Sequence, residues 1–79
     1  MRVTLFGVRG PGAEAQVHRA AARAAATSGS GVASVIWDPT AGAMDVRFVG
    51  AVEAVEHASA DLVAWWERVR TRARIAAEP

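Results

Sequence analysis

Cysteine is absent from this chain of 79 residues. Its absence excludes a disulfide framework and any metal site built from thiolates. A domain of this length is near the lower limit of size for chains that fold without a disulfide bond or a metal site. We therefore expect a single domain, residues 1–79, whose stability depends on packing and on association with a partner or a second copy.

Lysine is also absent, so all nine basic residues are arginine, a bias typical of a GC-rich coding sequence. Eight carboxylates are interspersed among them and the formal net charge is only +1. This balance argues against a basic nucleic-acid-binding surface that extends over the whole domain. The apolar runs are too short for a secretory signal or a membrane span. Together these features predict a soluble cytoplasmic protein.

The segment with the clearest structural pattern is residues 31–48, which has the pattern of two strands joined by a tight turn. Apolar residues recur at strand-like spacing in both halves and predict strands over about 32–37 and 43–49. The run from Asp38 to Gly42 lies between them. Aspartate bonds to nearby backbone, the following proline fixes φ at the corner, and glycine accepts a positive φ. We expect a hairpin here.

Three further elements flank the hairpin. β-Branched and aromatic residues predict a strand over about 2–8, and an alanine-rich run predicts a helix over about 13–27. Apolar residues at three- and four-residue steps predict a long amphipathic helix over about 51–75. Two alternatives remain open for that helix. Ser59 could cap and restart it, and the arginines at alternate positions in 68–74 would also suit a strand.

The order strand, helix, strand, strand, helix predicts an α+β fold of ferredoxin-like βαββα type, whose final strand is missing or replaced by the long helix. Right-handed connections would place strand one beside strand three, and strand two beside strand three through the hairpin. Both helices would cover one face of this three-stranded antiparallel sheet. The other face would carry Thr4, Phe6, Ile36, Asp45 and Arg47, and strand one would have a free edge.

The hairpin contains the pattern Gly31-Val32-x-x-Val35-x-Trp37-Asp38, followed by Gly42-x-Met44-x-Val46. On these structural positions, residues 3–49 resemble the heavy-metal-associated (HMA) domains of copper chaperones and metal-transporting ATPases. This resemblance implies the same fold, but the two cysteine positions of the family's metal-binding loop fall on Gly10 and Ala13. The resemblance therefore implies a degenerate HMA-like domain without a thiolate metal site.

Three chemical possibilities follow from local patterns. Glu53, His57 and Asp61 lie at four-residue steps on the second helix and could hold a divalent metal, although a solvated helix face has the same pattern. The loop of Arg9, Gly10 and Gly12 before the first helix could hold an anion, but it lacks the spacing of a phosphate-binding loop. No serine has a triad-like setting. We expect no enzymatic activity and no cofactor.

Contact with another protein is the function that the pattern favours. Consecutive helical positions differ by about 100°, so of the pair Trp65 and Trp66 one is expected in the core and the other partly exposed. Tryptophan and arginine are enriched at interfaces. The sequence predicts a binding module, an accessory or regulatory part of a cation transport system, that forms a homodimer through strand one. A nucleic-acid-binding protein is the alternative. The predicted interface residues are Phe6, Ile36, Trp65, Trp66, Arg68 and Arg72.

Overall fold

The computed structural model describes residues 1–69 and 73–76, and the last four only by their backbone. They form an α+β structure in which two helices cover one face of an antiparallel sheet. The elements are β1 (Arg2–Phe6), α1 (Gly10–Ser28), β2 (Gly31–Asp38), β3 (Ala43–Val49), α2 (Val52–Val69) and β4 (Ala73–Ala76).

The sheet has the strand order β2-β3-β1-β4. Strand β3 pairs antiparallel with both β1 and β2, which confirms the predicted neighbours of the central strand. The β2–β3 register shifts between Val32 and Ser34, where β2 has a bulge. Because side chains alternate across a strand, the core residues of β1 and β3 point to the helices, whereas Thr4, Asp45 and Arg47 point to the open face.

The hairpin turn between β2 and β3 forms as the sequence predicts. The Asp38 carboxylate accepts hydrogen bonds from the backbone N–H groups of Thr40 at 3.0 Å and Ala41 at 3.3 Å. Gly42 adopts a φ of 62°, in the left-handed region that glycine tolerates best. Side-chain and backbone chemistry within five residues therefore fixes the turn, and the turn fixes the strand register.

Strand β1 and helix α1 have boundaries different from those predicted. The strand ends at Phe6 instead of residue 8, because Gly7 takes a φ of 79° and leaves the extended conformation. The helix begins at Gly10 instead of residue 13, with a proline in its first turn, where the missing N–H costs no helical hydrogen bond. It ends at Ser28, and Gly29 in the left-handed conformation caps it.

The predicted second helix is longer than the observed one. Helix α2 ends at Val69 and not at residue 75, and residues 73–76 instead form β4, which pairs antiparallel with β1. The free edge predicted for β1 is therefore occupied, and the prediction of a missing final strand was wrong. The alternating arginines were a strand signal for this part of the chain. Residues 70–72 and 77–79 lie outside the described residues.

The core lies between the sheet and the two helices. Helix α1 contributes one valine and four alanines, whereas α2 and the strands contribute the large side chains. Small residues on α1 allow its backbone to lie close to its neighbours, and the bulk of Trp66 and Leu62 fills the space on the other side. The largest fully buried side chains are Trp66, Leu5, Met44, Leu62, Val3, Val8, Val17, Val46 and Ser59.

Ser59 lies in the middle of α2, so it does not restart the helix. Its hydroxyl is fully buried and has no hydrogen-bond partner among the described residues. A buried polar group without a partner costs about 1–3 kcal/mol, and alanine is also the better helix former. We expect Ser59→Ala to raise the free energy of unfolding by about 1 kcal/mol, measured as an increased urea midpoint.

Ser28→Ala is the matched control, because the Ser28 hydroxyl donates a 2.8 Å hydrogen bond to the Ala24 carbonyl at the end of α1. The same substitution should lower the midpoint there. A lower midpoint for Ser59→Ala would show that this hydroxyl is bonded in solution.

Candidate interaction surfaces

The open face of the sheet carries a polar pair at its centre, apolar side chains at Phe6 and Ile36, and two arginines that face each other across β1 and β3. Thr4 donates a 2.7 Å hydrogen bond to the Asp45 carboxylate across the β1–β3 ladder. Ile36, predicted as an interface residue, is 58 % exposed on this face, and Phe6 is partly buried. Arg47 is exposed and is the register partner of Arg2. The predicted membership of this face is confirmed, but a hydrogen-bonded pair occupies its middle.

Strand β2 forms one edge of the sheet. It is eight residues long, and Asp38 at its end is its only charged residue. Several of its large apolar side chains are exposed: Val32 at 37 %, Ile36 at 58 % and Trp37 at 38 %. No strand of the described residues pairs with its outer edge. The unpaired backbone groups and the exposed apolar side chains therefore occur together on one strand.

The two adjacent tryptophans of α2 have different environments. Trp66 is fully buried, and its indole N–H donates a 2.9 Å hydrogen bond to the Phe6 carbonyl at the end of β1. Trp65 is only partly buried, with its ring centre 5.6 Å from that of Trp66. The sequence predicted one buried and one exposed ring and included both among the interface residues. For Trp66 that was wrong, because a fully buried ring contacts no partner.

Trp65 lies in a groove between α1 and α2. Two hollows of about 220 and 160 Å³ adjoin along this groove, and both are lined by Ala20, Arg23 and Trp65. Arg19 lines the larger hollow, and the exposed Arg68, a predicted interface residue, lines the smaller one. Arg72 lies outside the described residues.

Sequence reasoning missed the contribution of α1 to this groove. Arg19 and Arg23 are four residues apart and therefore lie on one face of the helix. That spacing predicts a basic patch on α1, but it does not show which other element lies beside the two arginines. Only the packing of α1 against α2 brings them beside Trp65.

The predicted metal ligands do not form a cluster. Glu53, His57 and Asp61 are all exposed on α2. Within residues 1–69 and 73–76, no group of three or more histidine, aspartate or glutamate side chains is placed to hold a metal ion. The three residues follow the solvent-facing stripe of an amphipathic helix, as the alternative interpretation of this pattern held.

The predicted anion-binding loop is the start of α1. Arg9 is exposed and occupies the N-cap position in an extended conformation, and Gly10 and Gly12 lie in the first turn with Pro11 between them. Proline has no N–H to offer an anion. Ala13, at the second cysteine position of the HMA resemblance, is buried in the core. Anion binding at this loop stays a prediction.

No protein-family model, curated protein or solved structure matches this chain. The resemblance to HMA domains therefore stays a prediction that rests on the hairpin positions. Within the part of the chain that the structure describes, neither helix has the length and apolar character needed to cross a membrane. The functional argument accordingly depends on the surfaces themselves.

Proposed function

We propose that this chain is a small ferredoxin-like module that catalyses no reaction and acts through protein–protein contacts, with a second copy of itself as one partner. The order of the elements and the strand order β2-β3-β1-β4 support the ferredoxin-like assignment. A degenerate HMA-like domain, as an accessory part of a cation transport system, is the form of this function that the hairpin resemblance suggests.

The observation that supports this function best is the outer edge of β2. Native proteins protect edge strands with charges, short length or bulges. The opposite edge strand, β4, is protected by its short length, because it has only four residues. Strand β2 is twice as long, and its bulge affects only the part before Ser34. Residues 34–37 are therefore an edge stretch without a charge or a bulge.

A second copy fits this edge because the strand is complementary to itself. Antiparallel pairing around a two-fold axis at Ile36 would place Ile36 opposite its own copy. The same register would place Trp37 opposite Val35 and Asp38 opposite Ser34, so that no like charges face each other. Pairing would satisfy the outer backbone groups and cover the exposed apolar side chains. This register replaces the predicted pairing through β1, whose edge is covered by β4.

Light scattering on the purified protein at micromolar concentration tests this function. We expect the mass of a dimer, and we expect Ile36→Lys to give a folded monomer, because two ammonium groups would then face each other across the axis. Val52→Lys is the matched control, since Val52 is 69 % exposed at the start of α2 and away from β2. It should remain dimeric.

A monomeric mass for the unaltered protein at tens of micromolar would overturn the dimer. Dissociation by Val52→Lys, with Ile36→Lys still dimeric, would move the interface to the helical side. Circular dichroism of each variant shows whether the fold is intact, so that unfolding is not mistaken for dissociation.

Nucleic-acid binding is the second candidate function. The observation in its favour is the cross-strand pair of Arg2 and Arg47 on the open face that also carries Phe6. Asp45 lies on the same face and opposes an anionic ligand. Binding of a single-stranded oligonucleotide, with an affinity that falls steeply as salt is raised, would support this function.

A further inference from the structure

The groove between α1 and α2 is elongated. Its two hollows are lined on α1 by residues from Gln16 to Thr27 and on α2 by residues from Asp61 to Val69. Eleven helical steps on α1 correspond to a length of about 16 Å, or three helical turns. A site of this length suits a segment of polypeptide better than a compact small molecule.

Charge on the walls of the groove is predominantly positive. Three guanidinium groups line it, those of Arg19, Arg23 and Arg68, against the single carboxylate of Asp61. All four side chains are exposed, and within the described residues none forms an ion pair. Guanidinium groups bind carboxylates through paired, charge-assisted hydrogen bonds. The groove is therefore complementary to an acidic ligand.

The floor of the groove is apolar and well supported. Trp65 lines both hollows, and Val69 at one end is 47 % exposed. The Trp65 ring lies against Trp66, which is fully buried and hydrogen-bonded to the Phe6 carbonyl. A partly exposed indole on a rigid base loses little side-chain entropy when it is covered, which is a property of residues that dominate binding energy.

We propose that this groove docks an acidic amphipathic helix of a partner protein, with an apolar face on Trp65 and Val69 and carboxylates between the three arginines. Apolar anchors at three- and four-residue spacing on such a helix would match the two hollows. The surface is separate from the outer edge of β2, and the inference does not depend on self-association.

Fluorescence polarisation with two labelled peptides tests the docking site. Both have about 15 residues, the length at which an isolated helix begins to be stable. One carries leucines at helical spacing with glutamates around them, and the other has lysine in place of every glutamate. We expect the acidic peptide to bind at least about tenfold more tightly than the basic one.

Arg23 lines both hollows, so Arg23→Glu should weaken binding of the acidic peptide by about tenfold or more. Arg9→Glu is the matched control, because it makes the same charge change at an exposed position outside the groove. It should have at most about a twofold effect. Trp65→Ala should also weaken binding, whereas Ile36→Lys should leave it unchanged. This last variant separates docking in the groove from the β2 interface.

Equal affinity for the two peptides, or equal weakening by Arg23→Glu and Arg9→Glu, would overturn the proposal. A single-stranded oligothymidylate serves as a competitor in the same assay. Displacement of the acidic peptide by oligothymidylate at lower concentration than unlabelled peptide, with the same loss on Arg23→Glu, would assign the groove to nucleic acid and also overturn it.

Discussion

Trp66→Ala is expected to lower the free energy of unfolding by about 3–5 kcal/mol. Trp66 is the largest fully buried side chain of the described residues, and its indole N–H donates to the Phe6 carbonyl. Alanine at this position removes the donor and leaves a cavity between α2 and the sheet. Both changes destabilise the folded state, since the neighbouring side chains come from different elements and cannot all move inward.

A loss of this size is large for so small a domain. At about 0.05–0.15 kcal/mol per residue, the whole chain has a stability of about 4–12 kcal/mol. Urea unfolding followed by far-ultraviolet circular dichroism gives the difference, and we expect Trp66→Ala to unfold at a much lower urea concentration than the unaltered protein. Trp66→Phe retains most of the buried surface but not the donor, and should lose less stability than Trp66→Ala.

Trp65→Ala is the matched control, because it removes the same side chain at the next position, where the ring is only partly buried. It should cost about 1 kcal/mol, from the smaller apolar area returned to water. Equal losses at the two positions would contradict the distinct environments of these tryptophans.

Ala21→Leu is expected to destabilise the protein by about 1–3 kcal/mol through overpacking. Ala21 is fully buried on the alanine face of α1, which packs against α2 and the sheet. Three added carbon atoms would push α1 away from its neighbours or force side chains out of their preferred rotamers. A decrease in the urea midpoint measures the cost.

Ala22→Leu is the control for helix propensity and for added hydrophobicity. Ala22 is exposed one position along the same helix, where leucine has space and a similar intrinsic preference for the helix. We expect a change within about 0.5 kcal/mol. If Ala21→Leu were equally harmless, the close approach of α1 would not depend on its small residues.

Local sequence patterns were sufficient to predict the β2–β3 hairpin and helix α1. The turn at Asp38 depends on hydrogen bonds within three residues, and the alternation in β3 decides which of its side chains are buried, so both could be predicted. The alanine face of α1 and the glycine cap at Gly29 also follow from short-range rules of helix geometry. On the candidate surfaces, the exposure of Ile36 followed from the same alternation.

The remaining features depended on contacts between residues distant in sequence. The alternating arginines after Val69 were compatible with a helix or a strand. Pairing with β1 makes residues 73–76 a strand, β4. Periodicity showed that one of two adjacent tryptophans must be buried, but the Phe6 carbonyl, sixty positions away, lies beside Trp66 only in the folded chain. The groove that joins Arg19 and Arg23 to Trp65 likewise exists only once α1 packs against α2. Sequence by itself determined the hairpin, α1 and the buried face of β3, because those depend on neighbours within a few residues. Tertiary structure alone decided which exposed residues share a surface, since that depends on how the elements pack.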